Sequence, residues 1–149
     1  MRKRTIIRLV AMLVAVILVL PVGIRNAKAE AIQPRASLYI DSYNGYVYPA
    51  GGGKIQVWFT VNGTGRMDTL GCLRISIYES TDKVNWTCVQ THTNITNLDF
   101  ISCDAYYHSG HVDYQGVAGR YYKAYICIWA GIDNDGDSRY FYTLEKLAT

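Results

Sequence analysis

Alternation of apolar and polar side chains dominates the chain from residue 36 onward. Over 54–62, Ile55, Val57, Phe59 and Val61 share one phase, and Lys54, Gln56, Trp58, Thr60 and Asn62 share the other. Successive side chains of extended backbone point to opposite faces, so this period of two predicts a strand with one buried side. Leu73, Ile75 and Ile77 alternate in the same way with Arg74, Ser76 and Tyr78. Tyr122, Ala124, Ile126, Ile128 and Ala130 alternate with Tyr121, Lys123, Tyr125, Cys127 and Trp129. Weaker strands are predicted over 36–43, 86–92, 98–107 and 139–144. Asn44-Gly45, Gly51-Gly52-Gly53, Asn62-Gly63 and the segments 82–85, 94–97 and 133–138 punctuate them with residue types that tolerate turn backbones. No window of a dozen residues carries a helical stripe. Seven short strands of this kind predict an all-β domain: an antiparallel β-sandwich, immunoglobulin- or fibronectin-like, with a small β-barrel as the alternative. The sixth strand, 120–130, is expected to be central and adjacent to the third, which starts near residue 71.

The first thirty residues follow another logic. Arg2, Lys3, Arg4 and Arg8 precede an unbroken apolar run from Leu9 to Leu20, which Pro21 ends; Ala27-Lys28-Ala29 then places small residues two apart. That order predicts a secretory signal peptide over 1–29, cut after Ala29. The run is too short for a spanning helix, so no stable membrane anchor is expected after cleavage. A polar lead-in, 30–35, comes next, and a single domain fills 36–149.

Charge changes meaning once this segment is set aside. The whole chain carries 15 Lys+Arg against 12 Asp+Glu, a net +3. Six of the basic residues and none of the acids precede residue 30, so the mature chain is acidic, 9 against 12. It has no basic stripe, and nucleic acid is not an expected partner.

Four cysteines in an exported chain point to two disulfides. A hairpin turning at Ile95-Thr96 would set Cys88 opposite Cys103. Adjacent third and sixth strands would set Cys72 beside Cys127. The alternative is four thiols acting as small, half-buried apolar groups. No CxxC pair is present.

Candidate chemistry is sparse. His108, His111 and Asp113 gather two imidazoles and a carboxylate within six residues, a set that can ligate zinc or copper if a loop converges it; the same residues also read as a polar turn. Asp133, Asp135 and Asp137 resemble the start of a calcium loop. Ser138 and Leu144 stand where an EF-hand requires Gly and Glu, so a tight hairpin accounts better for the segment. No cofactor is required by either motif. No G-x-S-x-G is present, and a domain of this size has little room for a deep cleft, so an enzyme is not expected. Asn62-Gly63-Thr64, Asn85-Trp86-Thr87 and Asn94-Ile95-Thr96 are formal glycosylation sequons, relevant only in a eukaryotic secretory path.

The aromatic content carries more. Trp58, Tyr78, Tyr125 and Trp129 all alternate out of phase with the core sets, and Tyr78, Tyr125 and Trp129 are expected to share one exposed face. Flat aromatic faces stack on sugar rings and anchor protein partners; the competing use is cross-strand packing.

Three segments also bear a resemblance: Tyr78-Glu79-Ser80-Thr81-Asp82 with Asn85-Trp86-Thr87; Tyr107-His108-Ser109-Gly110-His111-Val112-Asp113-Tyr114-Gln115-Gly116; and Gly119-Arg120-Tyr121-Tyr122-Lys123-Ala124-Tyr125. Together they resemble a family of small secreted β-rich proteins of Gram-positive bacteria, over roughly residues 36 to 142. The resemblance implies a bacterial, exported domain and supplies no activity. Within it, S-x-D-x-x-x-W at 80–86 is a turn device, in which Asp82 can bond backbone and Trp86 can pack under the loop. The expectation is therefore a secreted, extracellular binding module that meets a glycan or a protein through exposed aromatics. The rivals are a metal-dependent protein or enzyme built on His108, His111 and Asp113, and a secreted effector.

Overall fold

A computed structural model of the chain describes residues 37–149. The signal peptide and the whole of the lead-in expected at the N-terminus lie outside the described residues.

The domain is all-β and antiparallel. Its strands are β1 (Ile40–Gly51), β2 (Lys54–Ser80), β3 (Thr87–Thr93), β4 (Ile101–Gln115), β5 (Tyr121–Ile132), β6 (Asp135–Tyr142) and β7 (Lys146–Leu147), with one 3₁₀ turn at Leu98–Phe100. All seven belong to one strongly curled sheet. The expected sandwich of two separate sheets is not what the hydrogen bonding makes. The reason is β2, a single strand of 27 residues that runs through both halves.

Two of the predicted strands are its two ends. In the first, Ile55, Val57, Phe59 and Val61 are fully buried, as alternation requires. The strand then bends where Gly63, Thr64, Gly65 and Arg66 oppose Tyr106 alone across the β4 ladder. Extra residues on one side of an antiparallel pair turn the strand and increase its twist. Beyond the bend Met67, Leu70 and Cys72 are again buried. A bulge at Leu73 then shifts the register by one, and Ile75 and Ile77 carry the core onward. One edge of β2 holds β1 along 54–63 and β5 along 69–80; the other holds β4 along 54–71 and β3 along 74–79.

The curl brings the inner faces together. Phe59 packs edge-on against Phe100 at 5.5 Å, among Ile126, Ile128 and Leu70. Each such fully buried side chain contributes about 1.5–3 kcal/mol. Gly45, predicted at a turn, lies inside β1 instead. A Cβ there would stand 2.6 Å from Ile126 Cδ1, so glycine permits β1 to approach β5 and β6. No ladder joins β1 to β6, and the half-barrel stays open along that seam.

A buried polar knot fixes the start of β5. The Tyr122 hydroxyl accepts from the Val117 amide (2.8 Å) and donates to Glu79, which also pairs with Arg120. Burial pushes the Glu79 carboxyl up, but the bonds from Tyr122 and Arg120 outweigh it and hold the group below its ordinary value. The 80–86 turn forms as its sequence predicts. Asp82 accepts from the amides of Val84 and Asn85, and Trp86 Nε1 donates to the Lys83 carbonyl.

Candidate functional site: a tyrosine face on β2, β5 and β6

The outer face of the second half of β2 is laid out by register. Arg74 pairs with Cys127, which pairs with Tyr140; Ser76 pairs with Tyr125, which pairs with Tyr142; Tyr78 pairs with Lys123. The rings of Tyr125 and Tyr142 lie 4.6 Å apart, Tyr125 and Tyr140 lie 6.1 Å apart, and Tyr78 meets Tyr142 edge-on at 6.0 Å. Four tyrosines thus form one contiguous patch, and the two on β6 are more than half exposed, Tyr140 at 53% and Tyr142 at 55%. Burial, with Tyr142 as neighbour, raises the Tyr78 hydroxyl above its ordinary value. Lys123 places its amine 4.1 Å from the centre of the Trp86 ring and 4.9 Å from that of Tyr142. Lys83 sits 4.5 Å over Tyr121.

Two hollows flank the patch. A basin of about 280 Å³ is lined by Leu73, Arg74, Thr93, Asn94, Cys127 and Tyr140 among others. A groove of about 400 Å³ follows the open seam, lined by residues including Asn44, Tyr46, Phe141, Tyr142, Leu144 and Lys146.

The four sequence candidates divide. Tyr78 and Tyr125 belong to the patch. Trp129 is on the same face of β5 but is already engaged: Nε1 donates to Thr69 Oγ1 of β2 (2.9 Å), and the ring fills the space beside Gly131 and Gly136 of the β5–β6 hairpin. Trp58 lies on the other half of the sheet, stacked between His111 (4.3 Å, 19°) and Tyr46 (6.3 Å, 8°), so both its faces are covered. Tyr140, Tyr142 and Lys123 escaped sequence reasoning. The period of two through 139–144 puts Tyr140 and Tyr142 in one phase, a signal that was available.

The proposed metal ligands do not converge. The segment 108–113 is strand, not turn, and a spacing of three on a strand sends His108 and His111 to opposite faces. His108 Nε2 bonds the Asp99 carbonyl and its ring faces Phe59, whereas His111 stacks on Trp58. Asp113 is held by Lys54 (3.0 Å) and Gln56 (2.9 Å), Lys54 first, and stays below the ordinary carboxylate range. Of the calcium-loop acids, Asp133 occupies the β5–β6 turn with φ 54°. Asp135 accepts from the Tyr39 hydroxyl and Asp137 from Ser37, so these carboxylates anchor the beginning of the domain. Among the described residues no group of three or more His, Cys, Asp or Glu is placed to hold a metal ion.

The expected disulfides are absent, and all four cysteines are thiols. Cys88 pairs with Tyr78 and Cys103 with Thr69, because β3 and β4 follow one another along the same edge of β2 instead of forming a hairpin. Nine residues of strand separate these positions, about 30 Å, far beyond a disulfide's reach. Cys72 and Cys127 are close in register, but the Leu73 bulge turns Cys72 into the core while Cys127 stays on the outer side of β5. Burial pushes the Cys72 thiol up to about 12 and raises Cys127 as well.

Compared with known proteins, the chain matches no family model, no curated protein and no solved structure.

Proposed function

We propose that this domain is an exported, non-catalytic binding module whose tyrosine face on β2, β5 and β6 meets an extracellular glycan. The observation that carries the reading is the contiguity of Tyr78, Tyr125, Tyr140 and Tyr142, with the β6 pair more than half exposed. Large exposed aromatic patches mark contact surfaces. Tyrosine supplies both an apolar ring face and a hydroxyl, the combination that a sugar ring with its own hydroxyls requires. Export is supported by the basic, apolar and A-x-A order of residues 1–29.

The test is pull-down on insoluble polysaccharides and a glycan array, with Tyr142→Ala and Tyr140→Ala beside the unaltered protein. Loss of binding in both variants, with melting temperatures preserved, supports the reading. Retention of full binding by both, or binding to a protein ligand with no glycan bound, overturns it.

A further inference from the structure

The described residues hold eight Lys and Arg against eleven Asp and Glu. Five of the eight cations sit in ion pairs: Lys54, Arg66, Lys83, Arg120 and Arg139. The remaining three, Arg74, Lys123 and Lys146, have no carboxylate of the described residues within ion-pair distance, and all three border the tyrosine patch. Arg74 lines the basin that Tyr140 closes. Lys123 lies over Tyr142. Lys146 lines the seam groove with Tyr142 and Tyr46. A domain with excess acid has thus left its unpaired cations on one aromatic surface, one in each flanking hollow and one between them.

Resting on the glycan reading above, we infer that this face takes an acidic polysaccharide. Sugar rings lie on Tyr140 and Tyr142, and anionic substituents fall into the Arg74 basin on one side and the Lys146 groove on the other. A guanidinium binds a planar or tetrahedral oxyanion with two parallel N–H bonds. In the basin that guanidinium is accompanied by the Asn94 and Thr93 side chains and by the Tyr140 ring, polar and apolar groups suited to a substituted sugar. Carboxylate, sulfate and phosphate share this chemistry. Solvent-exposed charges are screened by salt whereas ring stacking is not, so the two contributions separate experimentally.

The experiment measures binding of the purified protein to three matched pairs: polygalacturonate and its methyl ester, dextran sulfate and dextran, and phosphomannan and mannan. The variants are Arg74→Gln, Lys146→Gln, the double variant, Tyr142→Ala and Tyr140→Ala, each checked for an unchanged melting temperature. At least one acidic member is expected to bind about tenfold tighter than its neutral partner, a ratio that collapses as salt is raised. Each Gln variant lowers that ratio several-fold, the double variant abolishes it, and neutral binding is unchanged. The pair showing the largest ratio identifies the anion. Equal binding of acidic and neutral members, or a preference that survives in the double variant, overturns the acidic assignment while leaving the glycan reading intact. Polyglutamate is added as an anionic polymer without sugar rings, and its binding as tightly as polygalacturonate overturns the glycan part of the assignment. Failure of every polysaccharide to bind, or undiminished binding by both Tyr142→Ala and Tyr140→Ala, overturns the underlying reading itself.

Discussion

On the half of the sheet made by β1, β4 and the first part of β2, Trp58 is held between Tyr46 and His111, and beside it Asp113 pairs with Lys54 and accepts from Gln56. On the half made by β5, β6 and the second part of β2, Tyr140 and Tyr142 touch neighbours on one side only, and Arg74, Lys123 and Lys146 beside them have no carboxylate partner among the described residues. Both sets occupy the same outward phase of their strands. The difference is made by the cross-strand neighbour: Trp58 has a flat ring on each flanking strand, whereas Tyr140 and Tyr142 lie on β6, which pairs with β5 alone. An outward aromatic is available to a ligand only where the next strand leaves a face uncovered.

If the two faces do different work, both still depend on one core, and the largest effect is expected there. Phe59→Ala empties the space between Phe100 and Gly110 of β4 and should cost about 3–5 kcal/mol in urea unfolding. Tyr140→Ala, at a side chain half in solvent, should change stability by no more than about 1 kcal/mol. Comparable costs at the two positions would mean that the tyrosine face is structural and would remove the contrast.

The knot at the start of β5 comes next. Tyr122→Phe leaves the Val117 amide and one Glu79 oxygen without a partner, a loss of about 1–3 kcal/mol. It also changes the alkaline limb. Burial, followed by the Glu79 carboxylate, pushes the Tyr122 hydroxyl up to about 12 from 10.0. A value raised by folding contributes stability that is fully present below pH 10 and is lost as pH rises through about 12. The variant should therefore lose stability less steeply than the unaltered protein between pH 10 and 12. Cys72, whose value is also raised, is common to both and cancels in the comparison. Parallel alkaline limbs would show that the knot does not govern this edge.

A smaller effect separates the two faces directly. His111→Ala uncovers one face of Trp58 and should cost about 0.5–1 kcal/mol, the contribution of a stacked ring pair beyond its area. The change should appear in Trp fluorescence without altering polysaccharide binding. Loss of binding in His111→Ala or Trp58→Ala would move the ligand to the first half and reverse the assignment.

Much of the core was legible because alternation needs only the sequence: Ile55 to Val61 on β2 and Tyr122 to Ala130 on β5 are buried as the period of two demands. What failed depended on partners. Asn44-Gly45 and Asn62-Gly63 carry turn composition yet lie within strands, because Gly45 serves close packing against Ile126 and Gly63 a bend. Alternation carried back from Arg74 and Ser76 puts Cys72 on the polar phase, but a one-residue bulge at Leu73, invisible to a periodic count, turns it into the core. Tyr78 and Tyr125 were found, but the covering of Trp58 and Trp129 requires register, which no single strand contains.

The last test has the smallest expected signal and the most direct bearing on how the halves are joined. Cys103 sits on β4 and Cys88 on β3, at successive stations along one edge of β2. Were β3 and β4 a hairpin, as numbering alone suggests, the two thiols would face each other and oxidise readily. With about 30 Å of strand between them they cannot meet within one chain. Cys72 and Cys127, on opposite faces and with raised thiol values, stay protonated near neutral pH and are poor nucleophiles. Purified protein unfolded with an alkylating reagent and no reductant should therefore take up four labels, and prior reduction should leave its intact mass unchanged. A peptide linking Cys88 to Cys103 would show that β3 and β4 pair with each other. The β2–β3 and β2–β4 ladders would then fall, whereas the rows that carry the tyrosines, built on β2, β5 and β6, would stand.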